Sequence, residues 1–403
     1  MQRIYLDYAA TTPVRPEALE AMLPFFAGGG FNPSSVHAEG RAARAALDDA
    51  RARIAATLGA KPKEIVFTGS GSEANNLAII GCAEALRDRG RHLISLPTEH
   101  HSVLHALAAL RDRGWEVTLL PVDSNGMVTP QDLTAALRPE TALVTIAYAN
   151  NEIGTIAPIA QLAAIAHEHG TIFHTDAIQT PAHLTLDVRQ LGADLLSIAA
   201  HKFEGPKGVG ALYAREGTPL QPLIHGGGQE LGKRAGTENV AGISGMAKAL
   251  ELAQLESVQN TARVSALRNA LEAHISAEVD GVRVNGARHS RLPNHLNLSF
   301  LGIASDQLLA RLDLEGLAIS AGSACTSGVV EPSHVIAALG VPPDWAVGTV
   351  RLSLGRSTTA GEVETAGKMV VSAVRSLRES FGFSNQAERG ILGWGQGTPG
   401  RRS

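Results

Sequence analysis

The sequence predicts an α/β protein: a large domain with a mainly parallel sheet between helices, and a smaller α+β domain beside it. Three observations carry this expectation. The chain has 403 residues, 44% of them hydrophobic and 18% charged, which is enough for a sizeable core and for two domains. From Glu64 onward, short apolar runs alternate with amphipathic helical patterns, the mark of strands covered by helices on both faces. After GGGQELGKRAGTENV the periods shorten and strands mix with helices less regularly.

Taken in order, PEALEAMLPFFAGG reads as a helix and FNPSSVH as a turn. RAARAALDDARARIAATLG, with apolar residues at helical spacing and Gly59 at its close, reads as a second helix. EIVFT is a strand, GSGSEANN a small-residue turn and NLAIIGCAEALRDRG a helix. HLISLP, SVLHALAALRDRG and EVTLLPV repeat the alternation. Thr129 followed by Pro130 marks an N-cap with proline in the first helical position, so QDLTAALRP is a helix. ALVTIAYA, IAQLAAIAHEHG, TIFHTDA, DLLSIAA and VGALYA continue the series. A helical region at about 240–279 leads to VRVNG, HLNLSFLG, DQLLARLDLEG, AISAGSAC, PSHVIAALG, TVRLSLG and a last helix near 362–381. The expected boundaries are 15–255 for the large domain, 1–14 with 256–382 for the small one, and 383–403 for a Gly-rich, aperiodic and disordered tail. Ile391, Leu392 and Trp394 in that tail are an alternative docking segment.

The net charge of −4 gives no electrostatic footprint for nucleic acid. There is no apolar run of membrane-spanning length and no signal-peptide pattern at the start, so the expected setting is soluble and cytoplasmic. Two cysteines, Cys82 and Cys325, make no disulfide framework, and no CxxC or HExxH offers a metal site.

In a sheet of this kind ligands gather beyond the carboxyl ends of the strands. Five strand ends deliver polar residues there: Ser72 in GSGSEANN, His100 in TEHHS, Asn151 in ANNEIG, Asp176 with Gln179 three residues on, and His201 with Lys202 in AHKFEGPKGVG. Each alone is more often a cap or turn residue. Together they describe a phosphate site, a ring stacker, a carboxylate and a lysine at the end of a buried strand, where desolvation leaves more neutral amine for bonding an aldehyde. Pyridoxal phosphate requires that set.

The motifs YLDYAATTP, ANNEIGT, HTDAIQ, AHKFEGPKGVGALY, GGGQELGKRAGTEN, SAGSACTSG and VRLSLGRSTT occur in this order. Over about residues 4–382 the chain resembles the cysteine desulfurases of the NifS/IscS type, within the fold-type I, class V aminotransferase-like pyridoxal-phosphate enzymes. The resemblance implies a seven-stranded sheet in the large domain and pyridoxal 5'-phosphate as cofactor. It implies that Lys202 bonds the cofactor and Asp176 pairs with its pyridine nitrogen, while Gln179 and Asn151 contact the ring hydroxyl. It also implies that His100 stacks on the ring and acts as acid or base, and that Gly71, Ser72 and His201 hold the phosphate. Thr237 would reach that phosphate from the second subunit of a homodimer. Cys325, amid small residues, would be the nucleophile that takes sulfur from L-cysteine, and Arg351 would hold the substrate carboxylate. Cys82, on an apolar helix, reads as a buried structural residue. The persulfide on Cys325 would pass to an acceptor such as an iron-sulfur scaffold or a thiolation protein. Ala199 departs from the family's usual phosphate-binding serine, and Ser72 stands where threonine is common. Selenocysteine as a further substrate, an aminotransferase, and a cofactor-free interaction protein on the same fold remain the alternatives. The loop cysteine speaks against the second and Lys202 with Asp176 against the third.

Overall fold

The computed structural model describes residues 3–28, 31–321 and 332–380. Among them are twelve strands: β1 (Ile4–Tyr5), β2 (Ile65–Thr68), β3 (His92–Ser95), β4 (Glu116–Leu119), β5 (Thr141–Thr145), β6 (Ile172–Asp176), β7 (Leu195–Ala199), β8 (Gly210–Ala214), β9 (Val282–Asn285), β10 (His295–Phe300), β11 (Leu317–Ala318) and β12 (Thr349–Ser353). Seven of these form one sheet in the order β2-β8-β7-β6-β5-β3-β4. All neighbours in it are parallel except β8, which runs antiparallel to both β2 and β7. The α/β class and the mainly parallel seven-stranded sheet are therefore as the sequence predicts.

Alternate residues of the central strands feed opposite cores, because successive side chains of a strand point to opposite faces. Ile65 and Phe67 of β2, and Leu196 and Ile198 of β7, join a core with the helix Ala38–Leu58. Val66 and Leu195 join a second core with Leu77, Val103, Leu107 and Leu110. A third core gathers β10, β12 and the helix Ala360–Ser380. The helix Val240–Glu278 is shared: Met246 and Leu250 pack in the first core, Val264, Leu271 and Ile275 in the third.

Local chemistry explains the element ends. The helix Ala38–Leu58 begins earlier than the apolar spacing alone predicts because the His37 ring accepts from Gly40 N–H at 3.2 Å. It ends at Gly59, whose φ of +70° is the left-handed cap. Thr129 does form a capping box with Asp132, with Pro130 in the first turn. GSGSEANN is a turn only in its first residues, since a helix begins at Gly71. Ser70 accepts from Glu73 N–H at its start. No helix among the described residues is long and apolar enough to cross a membrane.

Candidate active site

A cavity of about 290 Å³ opens beyond the carboxyl ends of the parallel strands, within the range of small-molecule sites in order of magnitude. Gly71, Ser72, His100, Asn151, Asp176, Gln179, Ala199, His201, Lys202 and Arg351 all line it. Residues from 71 to 351 thus meet in one place. Thr237 does not join them: it lines a separate, small cavity with Thr68, Gly69 and Arg234, on the far side of the 69–72 turn. Cys325 lies outside the described residues.

Lys202 sits in a 3-10 turn directly after β7. Its Nζ donates to the carbonyls of Ala9 at 2.5 Å and Ala10 at 2.8 Å. Burial, with the Arg351 guanidinium second, lowers its pKa to about 8, against smaller opposing contributions from Asp176 and Asp7. The ordinary value is 10.5, so a larger share of this amine is neutral near neutrality than for an exposed lysine. Gln179 Nε2 donates to the same Ala9 carbonyl at 3.0 Å.

Asp176 closes β6 and is 7% exposed. One carboxylate oxygen accepts from Ile178 N–H at 2.9 Å and the other from Asn75 Nδ2 at 2.7 Å. Each oxygen keeps a second lone pair for a further donor. Asn75 also donates to Ser102 Oγ at 2.9 Å, and Ser102 Oγ lies 2.8 Å from His100 Nδ1. The ring of His100 caps the helix His101–Arg111 by accepting Ser102 N–H at its Nδ1, 3.1 Å away. A nitrogen that accepts a backbone N–H carries no proton, so the His100 proton is on Nε2. Burial also lowers the His100 pKa. Burial brings His201 down to about 4, helped by Lys202 and Lys207. Its Nδ1 lies 3.2 Å from Thr11 Oγ1.

Gly71 is bare for a reason other than a ligand: a Cβ there would collide with Ile178 Cδ1 and come within 3.1 Å of Ala199 Cβ. The helix supplies no acceptor for the N–H groups of Gly71 and Ser72, which begin it. Ser197, the residue nearest Ala199 on the same strand face, lies 3.0 Å from His174 Nε2 through its Oγ and is committed to that contact.

Beyond the cavity wall the loop that carries Thr237 is held by a buried clamp. Arg51 meets Glu230 through two bonds of 2.8 and 2.6 Å, and Phe67 N–H donates to the same carboxylate at 2.8 Å. Glu230 and Leu231 sit at φ of +48° and +59°, a conformation that side chains other than glycine rarely adopt. The clamp over-determines that strained turn.

Comparison with known proteins follows the same lines. The family described as aminotransferase class-V matches residues 4–365. The chain belongs to that family. Within it, a cysteine desulfurase IscS of Dictyoglomus turgidum is 50% identical over 377 residues, covering 94% of this chain and 96% of its own. A cysteine desulfurase IscS of Methanosarcina thermophila is 47% identical over 375 residues, 93% of each chain. Among solved structures, a NifS-like protein superposes with a TM-score of 0.87 at 36% identity, covering 95% of this chain and all of its own. A structure described as SspA in complex with cysteine gives 0.78 at 38% identity, over 88% of this chain and all of its own. The fold of this class-V family member is thus the fold-type I arrangement.

Sequence reasoning missed Asn75 and Ser102, although both stand in motifs it quoted, because nothing in GSGSEANN or TEHHS says that the two turns touch. It missed Asp7, whose contact with Arg351 spans 344 residues. Nor is Arg351 as free as expected: NH2 meets Asp7 Oδ1 and NH1 meets the Asn151 carbonyl, both at 2.8 Å.

Proposed function

We infer that the protein is a cysteine desulfurase, taking sulfur from L-cysteine to give L-alanine and a persulfide on Cys325. The observation that carries this reading is one cavity in which an amine of lowered pKa, a doubly held carboxylate and a buried guanidinium converge. The donor set fits pyridoxal 5'-phosphate. Lys202 would bond its aldehyde and Asp176 its pyridine nitrogen, while Asn151 and Gln179 would contact the ring hydroxyl. Gly71, Ser72 and His201 would hold the phosphate and His100 would lie on the ring. When bound, the cofactor supplies an electron sink for charge developing at the substrate Cα.

The chain's own groups do the rest. Arg351 orients the substrate by its carboxylate. Lys202 takes the Cα proton, which a group with a pKa near 8 can both accept and return near neutrality. His100, with its proton on Nε2, serves as a donor facing the cavity; to act as a base at that atom it must first give up the bond from Ser102 N–H. The Cys325 thiolate attacks the substrate sulfur, a sulfur–sulfur bond forms, and the carbon–sulfur bond breaks. Its electron pair stays on Cβ, which takes up a proton and becomes the methyl group of alanine. Ser320, five residues before Cys325 in sequence, exchanges backbone bonds of 3.1 and 2.6 Å with Arg351. The test is to mix the purified protein with cysteine and a reductant and measure sulfide and alanine together. Equal yields are expected; sulfide without alanine would overturn the reading.

The placement of Thr237 outside its own cavity supports a homodimer in which it reaches the partner's phosphate. Mixing Lys202→Ala subunits with Thr237→Ala subunits is then expected to give hybrids with one site carrying both defects and one carrying neither. Hybrids without any restored activity would show that each subunit holds its cofactor alone. The sulfur would leave Cys325 for an acceptor such as an iron-sulfur scaffold, in a cytoplasmic setting.

Ala199 supplies no hydroxyl to the phosphate, and Ser197 is engaged elsewhere. A hydrogen bond to a charged group contributes about 1.5 to 3 kcal/mol. Ala199→Ser is therefore expected to tighten cofactor binding by about tenfold or more, with turnover at saturating cofactor nearly unchanged. Stripping the cofactor and titrating it back into both proteins measures this. Equal affinities would mean that backbone donors or water already replace the hydroxyl.

A further inference from the structure

We propose that Asp7 sets the carboxylate selectivity of the substrate site, as the standing counter-ion of Arg351 that an incoming carboxylate must share or displace. This rests on the desulfurase reading above and concerns a residue to which that reading gives no part.

Arg351 is 5% exposed and faces the cavity. Asp7 accepts from its NH2 at 2.8 Å, the Asn151 carbonyl accepts from NH1 at 2.8 Å, and Nε is buried with no partner. One corner of the guanidinium is therefore left for a ligand, and the adjoining NH2 has a second hydrogen to give. Asp7 is not placed there by chance of rotamer. Its backbone bridges to Ser353, two residues from Arg351, with Ser353 N–H donating to Leu6 at 2.7 Å and Tyr8 N–H donating to Ser353 at 3.3 Å. Tyr5 Oη donates to the Asp7 carbonyl at 3.0 Å and fixes the segment from the other side.

The electrostatic consequence follows from burial. A guanidinium removed from water costs free energy unless an anion accompanies it. With Asp7 present the charge is balanced before any substrate arrives, so an amine without a carboxylate leaves no bare cation behind. A substrate carboxylate then competes with one already in place. Without the Asp7 charge, a ligand carboxylate becomes the one anion hydrogen-bonded to the guanidinium, and an amine lacking it is penalised. Asp7 thus moderates the grip on the carboxylate, which favours release of the product alanine, since alanine carries the same carboxylate as the substrate.

The experiment uses the cofactor-loaded protein and reads the visible absorbance of the cofactor during titration with L-alanine and, separately, with ethylamine, its counterpart without the carboxylate. The quantity of interest is the ratio of the ethylamine to the alanine dissociation constant. Asp7→Asn is expected to raise this ratio by about tenfold, chiefly by tightening alanine. Asp7→Ser, a smaller side chain, is expected to do the same if the amide does not fold. Asp7→Glu, which keeps the charge, is expected to restore the native ratio. If Asp7 merely braces the segment, the variants will weaken both ligands together and leave the ratio unchanged, which overturns the proposal. A native protein whose absorbance responds to neither alanine nor cysteine would remove the desulfurase reading and the role of Asp7 with it.

Discussion

Lys202→Ala is expected to abolish desulfuration, with a fall in turnover of about 10⁴-fold or more, the scale seen when a reacting group is removed. The same change is expected to remove the cofactor's covalent link to the chain, so that borohydride fixes cofactor in the native protein and none at residue 202 in the variant. The expectation rests on the position of the amine. It stands just past β7, in a site whose burial and neighbouring Arg351 bring its pKa to about 8. Lys61 differs sharply: it is held by Glu216 and its pKa is raised, which keeps that amine protonated and unreactive. Because Lys202 is the group that takes the Cα proton, activity is expected to climb as pH rises through about 8, where half of the amine is neutral, and to level off about one pH unit higher. Borohydride trapping at any lysine other than 202 would overturn the assignment.

Cys325→Ser is expected to separate binding from sulfur transfer. The variant should still change the cofactor's absorbance when cysteine is added, since Lys202, Asp176 and Arg351 are intact, yet release no sulfide above background. A serine hydroxyl is not ionised near neutrality and cannot replace a thiolate as the attacking group. The control is Cys82→Ser. Cys82 is fully buried in the core beside β2 and β7, and burial pushes its thiol up to about 12, so it is neither accessible nor ionised. A hydroxyl in that apolar site costs about 1–3 kcal/mol of stability, visible as a lower melting temperature, while turnover per folded molecule stays near native. An essential Cys82 with a dispensable Cys325 would place the nucleophile on the wrong residue.

The sheet was legible because its strands, the edge strand β4 apart, are buried on both faces and read as apolar runs between helices, and the strand ends followed from that pattern. The strand order was not legible. Nothing in VGALYA says that β8 turns back to pair with β2 and β7, and that reversal is what brings the turn at Lys202 beside the 69–72 turn. Lys202 and Asp176 could be read from their neighbours because each sits at the end of its own strand. Asp7, Asn75 and Ser102 could not, since each works through a contact between segments that are far apart along the chain. His100 was legible as a residue but not as a chemical species: its proton is assigned to Nε2 only by the helix that it caps.

The N-terminal segment has one further consequence, which concerns how the chain is made. β1 pairs only with β11, Asp7 bridges to Ser353, and β2 finds its sheet partner in β8. Ala9 and Ala10, whose carbonyls receive the Lys202 amine, are thus among the earliest residues synthesised, yet Ala9 N–H donates to Ser353 Oγ and the residues just before it bond the backbone of Ala318 and Ser353. A chain emerging from the ribosome carries Lys202, Asp176 and the 69–72 turn long before it carries the strand with Arg351, which lines the same cavity. Pairings this distant in sequence form late and slowly. The substrate clamp therefore belongs to the finished polypeptide, and a protein stalled anywhere short of β12 is expected to hold Lys202 without the strand that carries Arg351.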